Sequence, residues 1–250
     1  MSRRAVVRAP GKKYCECISS HPQISSLNLE KAIKQHNEYC QVLSDLGIEI
    51  IRLMPDDLNP DSCFVEDTAV IFQNKAFMTR PFPESRRPEI ESIEEILKQY
   101  MPVKRATSPA TIEGGDVIHL PNHLISGITQ RTNLEGVQQM GSYLETNVMT
   151  IADSSIIHLK SHVTYLANNQ VLCSSKYANH PILNEFVKLL VPENESYAAN
   201  SLTVDESVLL PEGNPETKKM IKNAGFDVIT LDMSEFEKCE GALTCISLLF

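Results

Sequence analysis

The chain has 250 residues, 42% hydrophobic and 22% charged, which is enough for a sizeable core in one large or two small domains. Its formal net charge of -9 argues against a nucleic-acid partner and suits a cationic small molecule. No apolar run approaches the roughly 18 residues of a membrane span, and the apolar stretch at the N-terminus is too short for a signal peptide.

The N-terminus reads as a first strand, Ala5–Arg8. A helix follows in which Leu29, Ile33, His36, Cys40 and Leu43 keep a 3.6-residue period and Gly47 is the stop. Strands are expected at Glu49–Met54, Asp67–Phe72 and Ala76–Thr79. Ser85 reads as the cap of a second helix, with Pro88 in its first turn and Ile90, Ile93, Ile96 and Leu97 facing inward. Next come strands Val117–Leu120 and His123–Ile128, then a third helical stripe of Leu134, Val137, Met140 and Leu144. Strands Ile156–Leu159, Val163–Leu166 and Gln170–Ser174 precede a fourth stripe, Ile182, Phe186 and Leu189. Strands Ser201–Val204 and Ser207–Leu210 precede a fifth helix, opened by Asn214-Pro215 and ended by Gly225, and Asp227–Leu231 is a further strand.

Five helical patterns, each bracketed by two or three short strands, suggest a repeated ββαβ unit rather than a Rossmann fold. No GxGxxG or Walker motif is present, so no nucleotide cofactor is indicated. No Gly/Ser linker divides the chain, and one domain over residues 1–250 is expected. The seven cysteines are irregularly spaced and form no CxxC pair, which fits free thiols in a reducing cytoplasm and argues against structural zinc.

Several short constellations carry functional groups. Glu66-Asp67 stands directly before an apolar strand. In Glu113-Gly114-Gly115-Asp116 carboxylates flank a glycine pair that permits close backbone approach to a ligand. His158 and His162 are four apart, but among β-branched neighbours and without an HExxH glutamate, so one of them suits acid/base work better than metal binding. Arg86 and Arg131 each lie in a strand-to-helix junction and can grip a carboxylate bidentately. Near the C-terminus Cys245 follows a small-residue turn, as core filling or as a nucleophile at a strand end. One thiol, one imidazole, several carboxylates and two arginines together make a site for an amino acid with a planar cationic side chain.

Seven motifs in order, Pro60 to Asp67, Thr79-Arg80-Pro81 with Ser85-Arg86-Arg87, Glu113 to Asp116, Arg131-Thr132-Asn133, His158-Leu159-Lys160, Tyr197 to Asn200 and Leu243 to Ser247, carry a family resemblance. The chain resembles the dimethylarginine dimethylaminohydrolase family of the guanidine-modifying, or pentein, superfamily. The resemblance implies a five-bladed α/β propeller of pseudo-fivefold ββαβ units. It implies hydrolysis of Nω-methylated arginines to citrulline and a methylamine, through a covalent intermediate on Cys245, with no cofactor. His158 would be the general acid/base, and Glu113 would complete the catalytic set and, with Asp67, grip the guanidinium. Arg86 and Arg131 would take the α-carboxylate, Asp61 and the backbone near Ile18 the α-amino group, and Glu66 would support the arginines or the pocket. Residues 12–20 would form a lid, and relatives allow a homodimer.

Two same-fold alternatives remain at this stage. One is an arginine deiminase, which carries an aspartate two residues after the histidine, where this chain has Lys160. The other is a non-catalytic pentein-fold binding protein, which has no need of a thiol-imidazole pair. The chain departs from the family at Cys239, where relatives carry an aliphatic residue whose carbonyl meets substrate, and at Glu240, where they carry aspartate. No metal is required. Cys239 and Cys245 facing one pocket would, however, allow inhibition by zinc or by joint oxidation. The extra methylene of Glu240 would shift a water or the substrate amine.

Overall fold

The computed structural model describes residues 3–250; Met1 and Ser2 lie outside the described residues. Among the described residues the chain runs β1 Arg4–Arg8, α1 Leu29–Asp45, β2 Glu49–Leu53, β3 Ala69–Phe72, β4 Lys75–Met78, α2 Ile90–Leu97 and β5 Val103–Arg105. It continues with β6 Val117–His119, β7 Leu124–Ile128, α3 Leu134–Leu144, β8 Val148–Ala152, β9 Val163–Ala167, β10 Gln170–Cys173 and β11 Val187–Leu190. The last elements are β12 Leu202–Val204, β13 Ser207–Pro211, α4 Pro215–Asn223, β14 Asp227–Leu231, α5 Ser234–Glu237 and β15 Leu248–Leu249.

These strands form five three-stranded sheets, the blades of a five-bladed α/β propeller: β15-β1-β2, β3-β4-β5, β6-β7-β8, β9-β10-β11 and β12-β13-β14. In every sheet the first pair is antiparallel and the second parallel. The antiparallel pairs of β3/β4 and β9/β10 turn through Gln73-Asn74 and Asn168-Asn169, all four at positive φ, as a type I′ hairpin requires. A parallel pair needs a crossover, and α1, α2, α3 and α4 supply it in four blades. The first blade takes its third strand from the far end of the chain: β15 pairs with β1 through Ala5↔Leu249 and Val6↔Leu248. Both chain ends therefore close the ring.

The helices bury the stripes expected of them. Asn28 caps α1 by accepting the Lys31 N–H, and Ala32, Tyr39, Cys40 and Leu43 enter the core. Ile90, Ile93 and Leu97 of α2 pack with Ala76 and Met78 of β4, and Met140 and Leu144 of α3 pack with Phe77 and Leu124. Leu134 is an exception: as the first residue of α3 it is 51% exposed, before the helix turns onto its sheet.

Four local expectations change. Ser85 caps nothing; it lies in a 3₁₀ segment, Glu84–Glu89, that runs into α2. The fourth stripe is no α-helix: Pro181–Glu185 is a 3₁₀ turn, and Leu189 belongs to strand β11. That stretch is too short to repay helix nucleation, and its apolar spacing serves a strand equally well. Ile156–Leu159 is not a strand; Leu159 opens a 3₁₀ turn before β9. Strands β5, β8 and β11 end their crossovers on blade edges, and their half-exposed residues give no clear alternation.

Candidate active site

The blades share one local device at the entrance of the first strand. A 3₁₀ segment stands before β3 (Val65–Thr68), β6 (Gly114–Asp116), β9 (Leu159–Ser161) and β12 (Glu193–Ala199), and a turn over residues 243–246 stands before β15. Glu66 and Asp67, Glu113, His158, and Cys245 thus occupy related places in four blades. The Glu66 N–H donates to the Cys245 carbonyl at 3.1 Å, which ties the first and last of these segments together. Cys245 precedes the terminal strand rather than ending one.

A small cavity of about 40 Å³ is lined by Ile18, Asp61, Phe64, Asp67, Arg86, Arg131, Ile157, His158, Cys239, Glu240, Gly241 and Cys245. Nine of the eleven residues named from the sequence as catalytic or substrate-binding line it directly, Cys239, Glu240 and Cys245 among them; Glu66 and Glu113 do not. Glu113 stands just behind: it is fully buried, and its Oε2 lies 2.7 Å from His158 Nε2. Its Oε1 accepts the Phe82 N–H at 3.0 Å and lies 3.8 Å from Arg131 Nη1. Glu113 is therefore placed to orient the imidazole.

Glu66 takes a different direction from Asp67. Successive side chains of a 3₁₀ turn diverge by about 120°, so Glu66 and Asp67 point to different places. Glu66 faces a second, larger cavity of about 340 Å³, where it pairs with Lys160 Nζ at 2.7 Å and accepts the Thr244 hydroxyl at 2.7 Å. It supports the turn that carries Cys245, and neither arginine touches it. Lys160, the residue that separates this chain from the deiminase pattern, is directed away from the reactive cavity by the same pair.

The glycine pair of Glu113-Gly114-Gly115-Asp116 serves the protein's own groups. A Cβ on Gly115 would stand 2.8 Å from the His158 ring and 2.9 Å from Asp67 Oδ1, and one on Gly114 would meet the Glu66 carbonyl at 2.0 Å. Asp116, unremarked as a site residue in the sequence, accepts the Leu159 N–H at 2.9 Å and the hydroxyls of Thr129 and Thr132, fixing the segment that carries His158.

Charge is concentrated here. Arg86 is buried among three carboxylates: it pairs with Asp67 at 2.8 Å and Glu89 at 2.9 Å and lies 3.8 Å from Glu113, and it also donates to the main-chain carbonyl of Asp61. One cation cannot satisfy so many carboxylates. Burial accordingly pushes Glu89 up to about 7 despite Arg86, and pushes Asp61 up as well. Asp67 is held low: burial opposes ionisation, but His158 and Arg86 outweigh it. Burial would lower the pKa of His158, yet Asp67 and the hydrogen-bonded Glu113 raise it to about 9, so the imidazole is cationic at neutral pH. Cys245 is the reverse: burial, then Glu66 and Asp67, push its thiol well up.

Asp67, Glu113 and His158 bring three ligand-type atoms within 4.8 Å of one another. Asp67 accepts from Arg86 and the Gly115 N–H, and Glu113 is bonded to His158, so the protein's own groups hold these carboxylates. The expected zinc or oxidation pairing of Cys239 with Cys245 is overturned. Cys239 is joined to Cys17 in a disulfide, and Cys245 remains free. The expectation of free thiols throughout fails at the same pair, because the fold brings together cysteines 222 residues apart.

Arg86 is also structural. Arg86→Leu is expected to leave Asp67 and Glu89 without their buried partner and to cost roughly 3–5 kcal/mol at pH 7. The loss should shrink toward pH 5 as the abandoned carboxylates protonate, and urea unfolding at the two pH values checks it.

The chain is similar in sequence and in fold to known proteins. Residues 19–248 match the family model described as N,N dimethylarginine dimethylhydrolase, eukaryotic. The chain is 36% identical to the N(G),N(G)-dimethylarginine dimethylaminohydrolase of Pseudomonas aeruginosa over the whole of both chains. It is 34% identical to the protein of that name from Streptomyces coelicolor, over 98% of this chain and 96% of the other. A cysteine-to-serine mutant of the Pseudomonas aeruginosa enzyme, complexed with citrulline, superposes over all of both chains with a TM-score of 0.96 at 35% identity. The N-terminal domain of ArgZ, 19% identical with a TM-score of 0.89, shares the fold. A propeller of five three-stranded blades, a thiol and an imidazole lining one cavity and full-length similarity to two enzymes of one name lead to one conclusion: the chain belongs to the dimethylarginine dimethylaminohydrolase family.

Proposed function

We propose that this chain hydrolyses Nω-methylated L-arginine to L-citrulline and a methylamine, with Cys245 as nucleophile and His158 as general acid and base. The observation that carries the reading is the meeting of Cys245, His158, Asp67, Arg86 and Arg131 in one cavity. Relatives named for this reaction, one of them held with citrulline, support it.

The electrostatics support a substrate-assisted first step. Before substrate enters, the thiol is neutral and the imidazole cationic. A guanidinium placed against Asp67 brings positive charge to the thiol and lowers its pKa, as neighbouring cations do. The thiol gives its proton to solvent, the thiolate adds to the guanidinium carbon, and imidazolium protonates the departing amine as its C–N bond breaks. The neutral imidazole left behind deprotonates a water, which attacks the S-alkylthiouronium carbon, and the C–S bond breaks to give citrulline and the free thiol. Glu113 holds the imidazole throughout. Arg131 and Arg86 receive the substrate carboxylate, and Asp61, near the Ile18 backbone, the amino group.

Lys160 supports a preference for methylated substrate, because no acidic side chain follows His158 to claim the free face of the guanidinium. The acidic composition supports a partner that is a small cation, not nucleic acid. A single catalytic domain acting in the cytoplasm belongs to the same proposal. The test is citrulline release from dimethylarginine, monomethylarginine and arginine. Release from the methylated compounds with little from arginine is expected. Equal turnover of arginine removes the preference, and no release from any of the three removes the reading.

A further inference from the structure

The two positions where the sequence leaves the family pattern, Cys239 and Glu240, both hold the segment that covers the cavity. Cys239 is bonded to Cys17, with 6.0 Å between their Cα atoms. Glu240, at φ +56, turns its carboxylate outward to accept the Ser20 N–H at 3.1 Å and the Ser20 hydroxyl at 2.7 Å. Between these two ties lies Ile18, whose N–H donates to Asp61 at 3.2 Å, and Ser19 donates to the Lys238 carbonyl at 2.8 Å. The extra methylene of Glu240 serves this reach.

The space beneath is too small for substrate. Its 40 Å³ holds about three waters at 10–15 Å³ each, whereas a methylated arginine carries more than a dozen heavy atoms. Entry requires Ile18 to move. Hydrogen bonds at the rim break and reform fast enough for turnover, but uncatalysed disulfide exchange takes minutes to hours. With Cys17 bonded, the neighbouring Ile18 Cα stays about 3.8 Å from a fixed point.

We propose that Cys17 and Cys239 are a redox site that locks the lid over the active cavity and that a dithiol reductant opens it. The inference rests on the reading of the cavity as the substrate site. One thiolate of the dithiol attacks a disulfide sulfur, the Cys17–Cys239 bond breaks, and a mixed disulfide forms as one cysteine leaves as thiolate. The second thiol of the reductant displaces the other cysteine. Two electrons and two protons pass to Cys17 and Cys239, and the dithiol ends as a disulfide. Cys17, 7% exposed against 3% for Cys239, is the more open end for attack. Cys245 takes no part and stays a thiol in both states.

The test compares oxidised wild type, its disulfide verified by peptide mass without reduction, with the same protein after dithiothreitol, and both with Cys17→Ser. Citrulline release and hydrogen exchange over residues 11–27 are read together. The oxidised form is expected to be on the order of tenfold or more lower in kcat/KM, by the fall in the open fraction, and slower in exchange. Reduction should restore both, and Cys17→Ser should match the reduced form with or without dithiothreitol. A wild type that forms no disulfide overturns the proposal. So does an oxidised form with unchanged activity and exchange, or an equal response to dithiothreitol in Cys17→Ser. If neither redox state releases citrulline, the functional reading fails, and the exchange data alone decide the lock.

Discussion

Cys245→Ser is expected to lower citrulline release from dimethylarginine by roughly 10⁴-fold or more, the scale on which loss of a covalent nucleophile is felt. The fold should survive, because Cys245 is a small buried side chain and its anchoring contacts are backbone ones: its N–H on the Ala242 carbonyl and its carbonyl on the Glu66 N–H. Substrate affinity should change little, since Asp67, Arg86, Arg131 and Asp61 are untouched. A large fall in kcat at near-constant dissociation constant, measured by calorimetry, distinguishes a nucleophile from a core thiol. A core thiol would give little change in rate.

The second large effect is at His158. His158→Asn keeps a polar side chain beside Glu113 but removes the acid and base, and a loss of roughly 10²–10⁴-fold in kcat is expected. Both half-reactions need the imidazole, so the variant should accumulate adduct when the leaving group departs without help. The same residue predicts two pH effects. In the wild type, kcat/KM should fall as pH rises through about 9, where the free enzyme loses its imidazolium. Stability follows the same group. A histidine raised from 6.5 to about 9 stabilises the fold fully below pH 6.5, by on the order of 3 kcal/mol, and that gain is lost as pH climbs through 9. The difference in stability between wild type and His158→Asn should therefore be largest near pH 6 and close toward pH 9. A difference that widens with pH contradicts the assignment of a clamped imidazolium.

Much of this was legible in the sequence, and the reasons differ by level. Helices α1, α3 and α4 were visible because a 3.6-residue stripe, an Asn before the first turn and a glycine or left-handed residue after the last all agree. The fourth blade was not, because Ile182, Phe186 and Leu189 satisfy a helical period by accident across a 3₁₀ turn and a strand. The reactive residues were individually weak signals, and their order along the chain made them strong. Their partners were hidden. Glu89 sits three residues from Arg86 in a segment read as a helix face, and only the fold shows that it holds the guanidinium. Glu66 and Asp67 are neighbours in sequence and face different cavities, a divergence that a strand reading of residues 67–72 does not reveal. The pairing of Cys17 with Cys239 depends on ring closure by β15 and β1, which brings the two ends of the chain together, and no spacing rule within the sequence encodes it.

The central claim is covalent catalysis at Cys245, and rapid quenching with mass spectrometry tests it most directly. Reduced His158→Asn is mixed with S-methyl-L-thiocitrulline, whose thiolate leaves without a proton from the imidazole, quenched in acid and digested. The C-terminal peptide carrying Cys245 is expected to gain the mass of this substrate less methanethiol, and no other cysteine peptide is. Citrulline formation by the wild type without any adduct at Cys245 in the variant, or an adduct on a different residue, would contradict it.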